Sequence, residues 1–131
     1  MSIEQMCHYQ AKLSFELDSA DLYTSIIKQE NITIIDARSP QAYKKEHIPG
    51  AVNLWHKDMS FHTTDHLDKN KTYICYCDGI GCNASTKAAL KLLTLGFKVK
   101  ELIGGLDWWK RDGYATEGDE SQSGLEVNCG C

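Results

Sequence analysis

Cysteine is the residue type in this chain best suited to covalent chemistry, and it occurs at positions 7, 75, 77, 82, 129 and 131 of 131 residues. Two groupings stand out. Cys75, Cys77 and Cys82 surround the segment Cys77-Asp78-Gly79-Ile80-Gly81-Cys82-Asn83, and Cys129-Gly130-Cys131 closes the sequence. In a reducing compartment, cysteines this close together serve catalysis or metal binding more often than structural disulfides. Met1 to Gln10 carries Glu4 and His8 and no apolar run, so neither a leader nor a membrane anchor is expected, and the cytoplasm is the expected location.

The glycines at 79 and 81 permit a curled backbone with successive N–H groups facing inward, and a helix starting near Ala84 would add its positive dipole end. A sulfur in such a nest is expected to have a depressed pKa. It would act as a thiolate, or as the equally anionic persulfide, so Cys77 is the candidate nucleophile. Three chemistries use a cysteine in an anion-cradling loop. A phosphatase or arsenate reductase of the Cys-x5-Arg type needs an arginine six residues after the nucleophile, where this chain has Asn83, and its only arginines are Arg38 and Arg111. Phosphoryl transfer is therefore disfavoured. Thiol–disulfide exchange usually employs Cys-x-x-Cys, whereas residues 78–81 all lie between Cys77 and Cys82. Sulfur transfer through a Cys77 persulfide fits the remaining features best.

The other candidates take lesser roles. Cys82, inside the loop, is positioned to attack a Cys77 persulfide or to form a disulfide with it, and Cys129 and Cys131 are candidate relay thiols on a tether. Cys75, inside a strand, and Cys7 read as bystanders. Two thiolates leave a tetrahedral metal half-ligated, and His62 and His66 have no helix to align them, so no metal and no cofactor are expected. Fourteen basic against eighteen acidic residues give a net charge of −4 with no basic cluster, which argues against nucleic acid as a partner.

These residues require a scaffold, and the apolar patterning supplies one. Lys12 to Leu17 alternates as a short strand or extended lead-in; Asp18 or Ser19 caps a helix carrying Leu22, Ile26 and Ile27. Ile32-Thr33-Ile34-Ile35 is a β-branched strand ending at Asp36-Ala37-Arg38, and Ser39-Pro40 opens another helix. Thr72 to Tyr76 is the strongest strand, running directly into the cysteine loop. Ala84 to Leu95 is the strongest helix, with Gly96 as its C-terminal cap. Lys98 to Ile103 and Leu106 to Asp112 follow as strand and helix. Strands alternating with helices indicate an α/β domain with a mainly parallel sheet, whose sites lie beyond the carboxyl ends of its strands. The expected division is a lead-in over 1–11, one domain over 12–115 and a flexible tail over 116–131.

Several segments, in order, resemble the rhodanese-like family. Ile34-Ile-Asp-Ala-Arg-Ser39 is similar to its Asp-x-Arg segment, and Glu46-His-Ile-Pro-Gly-Ala-Val-Asn53 to its His-Ile-x-Gly-Ala-x-Asn turn. Tyr76-Cys77, Ala88-Ala89, Leu92, Gly96-Phe97, Gly104-Gly105, Trp109 and Gly113 continue the series. The resemblance implies a single domain with a five-stranded, mainly parallel sheet flanked by helices on both faces. It also implies Cys77 as persulfide-forming nucleophile, Asp78 to Asn83 as the active-site loop, and Asp36 and Arg38 as its supports. The implied partners are a small-molecule sulfur donor and a thiol acceptor. The loop departs from the family pattern by being longer and by reading Gly-Cys-Asn where a basic residue is usual, with Lys87 as a potential substitute charge. A binding or redox-sensing module using Cys77 and Cys82 is the alternative.

Overall fold

The computed structural model describes residues 2–124. Its elements alternate in chain order: α1 (Ile3–Phe15), β1 (Glu16–Leu17), α2 (Ser19–Ile27), β2 (Ile32–Asp36), α3 (Pro40–Lys45), β3 (Val52–Asn53), α4 (Phe61–Thr64), β4 (Thr72–Tyr76), α5 (Ala84–Thr94), β5 (Lys98–Leu102) and α6 (Gly105–Arg111). The strands form one sheet in the order β1-β5-β4-β2-β3, every pair parallel. Helices cover both faces. Leu22 of α2 with Leu106 and Trp109 of α6 pack against Ile34, Ile74 and Tyr76 on one side; Ala88 and Leu92 of α5 pack against Ile35, Tyr73 and Cys75 on the other. β4 sits in the centre, and its residues Tyr73 to Tyr76 are all buried, as a strand covered on both faces requires.

Local chemistry accounts for the element ends. Asp18 and Asp21 form a reciprocal capping box at the start of α2, and Ser39 caps α3 with Pro40 in its first turn. Gly96 leaves α5 with φ +93°, a conformation that favours glycine.

Two segments differ from the sequence reading. The 12–17 alternation yields strand only at Glu16–Leu17, because helix α1 continues to Phe15. Local signals sustain that helix: Ser2 accepts from the Gln5 amide, and Lys12 reaches Glu16 at 2.9 Å. Of the alternating apolar residues only Leu17 is buried, so burial gives the pattern no strand register over Leu13 and Phe15.

The stretch read as tail from 116 is tied to the body over its first residues. Thr116 Oγ1 donates to Glu46 Oε2 at 2.6 Å, Glu117 pairs with His47 as an isolated bridge, and Gln122 Nε2 donates to the Tyr114 carbonyl at 2.9 Å. Cys129 and Cys131 lie outside the described residues.

Glu46 is the buried anchor of this closure and also takes Lys110 Nζ at 2.7 Å. Burial alone would raise its pKa, but the bonds from Lys110 and Thr116 outweigh burial and hold it below the ordinary carboxylate value. A depressed carboxylate stabilises the fold above its unfolded pKa, and the contribution disappears as pH falls through the folded value. Glu46→Gln is therefore expected to cost about 1–3 kcal/mol at neutral pH, and to narrow its deficit against wild type as pH is lowered below the carboxylate range. Urea unfolding across pH 3–7 measures this (a range of about four units chosen to span carboxylate titration); a deficit constant with pH would contradict it.

Candidate active site

Cys77 follows β4 directly, at the carboxyl end of the central strand, with its side chain on the α5 face two residues beyond Cys75. It is only 2% exposed. The loop from Asp78 to Asn83 folds over it and closes with an N–H···O bond from Cys82 to Gly79 of 3.1 Å. Cys77 Sγ lies 3.1 Å from the Cys82 carbonyl oxygen and 3.4 Å from Ser85 Oγ, at the base of a cavity of about 370 Å³.

The loop is held from two sides. Arg38 forks onto Asp36 through Nε and Nη2 at 3.0 and 2.8 Å, while Nη1 reaches Asp78 Oδ1 at 3.0 Å. Asp36 is itself fully buried and accepts from the Tyr76 hydroxyl at 2.9 Å, which in turn accepts the Ile48 amide. The fork is thus fixed to the strand that precedes Cys77. On the other side, the first amides of α6 donate to the loop: Leu106 N–H to the Cys77 carbonyl at 2.9 Å and Asp107 N–H to the Asp78 carbonyl at 2.8 Å. Asn53 Nδ2 bonds the carbonyls of Asp36 and Arg38, fixing the support segment.

One expectation about the loop is corrected, the depressed pKa of its cysteine. Neither Gly79 nor Gly81 has a positive φ. Gly79 instead makes room for Asp107, whose Cβ would stand 3.2 Å from an added methyl, and Gly81 faces open space. The Cys77 thiol is not depressed. Burial pushes it up, the side chain of Cys82 adds to that, and contacts with Ser85 pull back without prevailing. Lys87 supplies no compensating charge, because it is exposed and does not line the cavity. Cys75, fully buried, has its thiol pushed up to about 12, first by burial and then by Glu101.

Ser85 and Glu101 are the neighbours that sequence reasoning passed over. Ser85 Oγ donates to Glu101 Oε2 at 2.7 Å, and Thr86 Oγ1 donates to the same oxygen at 2.7 Å. The available signal was a carboxylate on the α5 side of β5, two residues after Val99 on a face otherwise apolar.

Together these features define an α/β domain with a buried cysteine at a helix-flanked loop beyond the central strand. Comparisons with known proteins assign the class: residues 19–112 match the family model of the rhodanese-like domain, and the chain belongs to the rhodanese-like family. It is 33% identical over 86 residues to a thiosulfate sulfurtransferase, GlpE, of Pseudomonas syringae, covering 64% of this chain and 77% of that one. A tRNA sulfurtransferase of Pyrobaculum aerophilum is 34% identical over 87 residues, 66% of this chain but only 16% of that protein. Among solved structures, a protein of Bacillus halodurans superposes with TM-score 0.86 at 44% identity, covering 90% of this chain and 87% of that one. The relatives support a general sulfurtransferase role, and the five-stranded parallel architecture agrees with the fold expected from sequence. Among the described residues no helix is long and apolar enough to cross a membrane.

Proposed function

We propose that this protein is a sulfurtransferase that carries sulfane sulfur as a Cys77 persulfide and passes it to a thiol acceptor in the cytoplasm. The observation that carries the reading is Cys77 itself: a buried sulfur at the base of a cavity, in a loop braced by Arg38 through Asp78 and by the α6 amides. A braced loop holds the sulfur in one place while donor and acceptor exchange, which is what a carrier requires. Asp78 to Asn83 form the enclosing loop, and Asp36 and Arg38 support it without taking part in chemistry. Cys82 is the relay thiol, close enough for its side chain to influence the ionisation of Cys77. The same proximity favours a second reading, a redox-sensing module in which Cys77 and Cys82 pair. The carrier reading treats residues 12–115 as the working domain, with Cys129 and Cys131 as further relay thiols.

Steady-state sulfur transfer tests the proposal. Wild type is expected to accelerate transfer from a low-molecular-weight persulfide to excess thiol, while Cys82→Ser keeps the loading step and slows only discharge to the acceptor. No acceleration with either a persulfide or thiosulfate would overturn the carrier reading in favour of the redox module.

A further inference from the structure

Glu101 of β5 is in register with Cys75 of β4 on one side and Glu16 of β1 on the other. Two carboxylates and a thiol thus stand in a row across the α5 face of the sheet. Carboxylates directly opposite one another repel, and the two are treated differently here. Lys12 of α1 takes Glu16 at 2.9 Å. Glu101 has no cation paired with it among the described residues and is held instead by the hydroxyls of Ser85 and Thr86.

The Ser85 hydroxyl has one proton. Directed at Glu101 over 2.7 Å, that proton leaves only oxygen lone pairs facing Cys77 Sγ at 3.4 Å. The carbonyls of Cys82 at 3.1 Å and Gly79 at 4.0 Å are acceptors as well, which leaves the Ser85 backbone N–H as the donor to the sulfur. Glu101 and a Cys77 thiolate therefore compete for one hydroxyl proton. The cavity above Cys77 is lined by both Glu16 and Glu101 and, among the described residues, by no Lys, Arg or His. Its charge opposes a dianion and suits a cation.

We propose that Glu101 is the specificity-determining residue of the Cys77 cavity, selecting sulfane-sulfur donors that bear an ammonium group beside the sulfur, the persulfides of aminothiols, over dianionic thiosulfate. The inference rests on Cys77 being the sulfur carrier. An ammonium group reaching Glu101 neutralises the carboxylate and lets the Ser85 hydroxyl turn to the nascent thiolate, so binding the matching donor also activates the nucleophile. Cys77 Sγ then attacks the terminal sulfur of R–S–SH. The Sγ–S bond forms as the donor's S–S bond breaks; its electron pair leaves on R–S⁻, which takes up the proton lost by Cys77 and departs as R–SH. No external oxidant or reductant is needed.

The titratable groups facing Cys77 are Cys82 from its own loop, Cys75 on β4 and Glu101 on β5, with Glu16 and Lys12 beyond; Asp78 is engaged by Arg38, and Asp107 of α6 abuts Gly79. The test is the rate of persulfide formation on Cys77, read by mass spectrometry. The donors are cysteamine persulfide, its N-acetyl derivative, the persulfide of 3-mercaptopropionate, and thiosulfate. Wild type should prefer the cationic donor over its acetylated, uncharged counterpart by about five- to tenfold, with thiosulfate slowest. Glu101→Gln keeps an oxygen for Ser85 and Thr86 and removes the charge. It should bring the cationic and acetylated donors within about twofold and move the alkylation midpoint of Cys77 by iodoacetamide to lower pH. Ser85→Ala keeps the carboxylate and should preserve the order of donors, which holds the inference to account even if Glu101→Gln folds poorly. Equal preference in wild type, or an unchanged preference in Glu101→Gln, would overturn this inference alone. Absence of loading from every donor would overturn the carrier reading and this one with it.

Discussion

Cys77→Ser is expected to lower sulfur-transfer turnover by at least about 10³-fold while leaving the fold intact, since a hydroxyl cannot store a sulfane sulfur and is a far weaker nucleophile than a thiol. The substitution is close to isosteric. The introduced hydroxyl would face the Cys82 carbonyl and Ser85 Oγ, both of which can accept from it, so no buried donor is left unpaired. Thermal unfolding should consequently stay within about 4 °C of wild type. Cys75→Ser is the useful comparison, because Cys75 is fully buried on the same face but lines no part of the cavity. It should reduce stability more than turnover per folded molecule. Turnover by Cys77→Ser above about a tenth of wild type would contradict its assignment as nucleophile.

The second large effect is expected at Gly105, for a reason invisible in the loop itself. Gly105 adopts φ +57°, and a methyl placed on it would stand 2.3 Å from the Cys77 carbonyl oxygen and 3.0 Å from Asp78 backbone carbon. These are backbone atoms that cannot rotate aside. Gly105→Ala must therefore push α6 away from the loop, withdrawing the Leu106 and Asp107 amides from the Cys77 and Asp78 carbonyls. Loss of about 3 kcal/mol or more is expected, from two weakened buried hydrogen bonds, the overlap and the unfavourable φ. Turnover should fall at least about 100-fold, because displacing a reacting group by about 1 Å is enough for that. Gly81→Ala is the matched control. It has no atom within 4 Å of the added methyl and no positive φ, so stability should change by less than about 0.5 kcal/mol. Equal effects from the two substitutions would show that α6 does not hold the loop.

Much of the scaffold was legible in the sequence, because its signals are local. Thr72–Tyr76 combined β-branched and aromatic residues, Ala84–Thr94 carried one apolar face, and Ser39-Pro40 named a helix start; each is an element of the fold. Support of the loop by Arg38 was expected only because the family pattern pointed to it; the contact itself, with Asp78 forty residues on, is seen only in the fold. Helix α1 escaped notice because its apolar residues are exposed, so burial imposes no clear period on them. The sense of the Cys77 pKa shift was misread for a different reason. Glycine content permits a nest, but how far the folded loop buries the sulfur is set by tertiary packing, and here Cys77 is almost fully covered, so burial raises its thiol. The role of Glu46 was out of reach too, since its partner Thr116 is seventy residues away; a carboxylate at 101 on an apolar face could be noticed, but its partner Ser85, sixteen residues back, is brought near only by the order of strands.

The carrier role of Cys77 is tested most directly by peptide-resolved mass spectrometry after brief exposure of the full chain to a stoichiometric sulfane-sulfur donor, followed by alkylation. A mass increase of about 32 Da, one sulfur atom, is predicted at Cys77, discharged by added thiol and absent from Cys77→Ser. The added sulfur appearing at Cys82 with Cys77 unmodified, or persisting undiminished in Cys77→Ser, would contradict it.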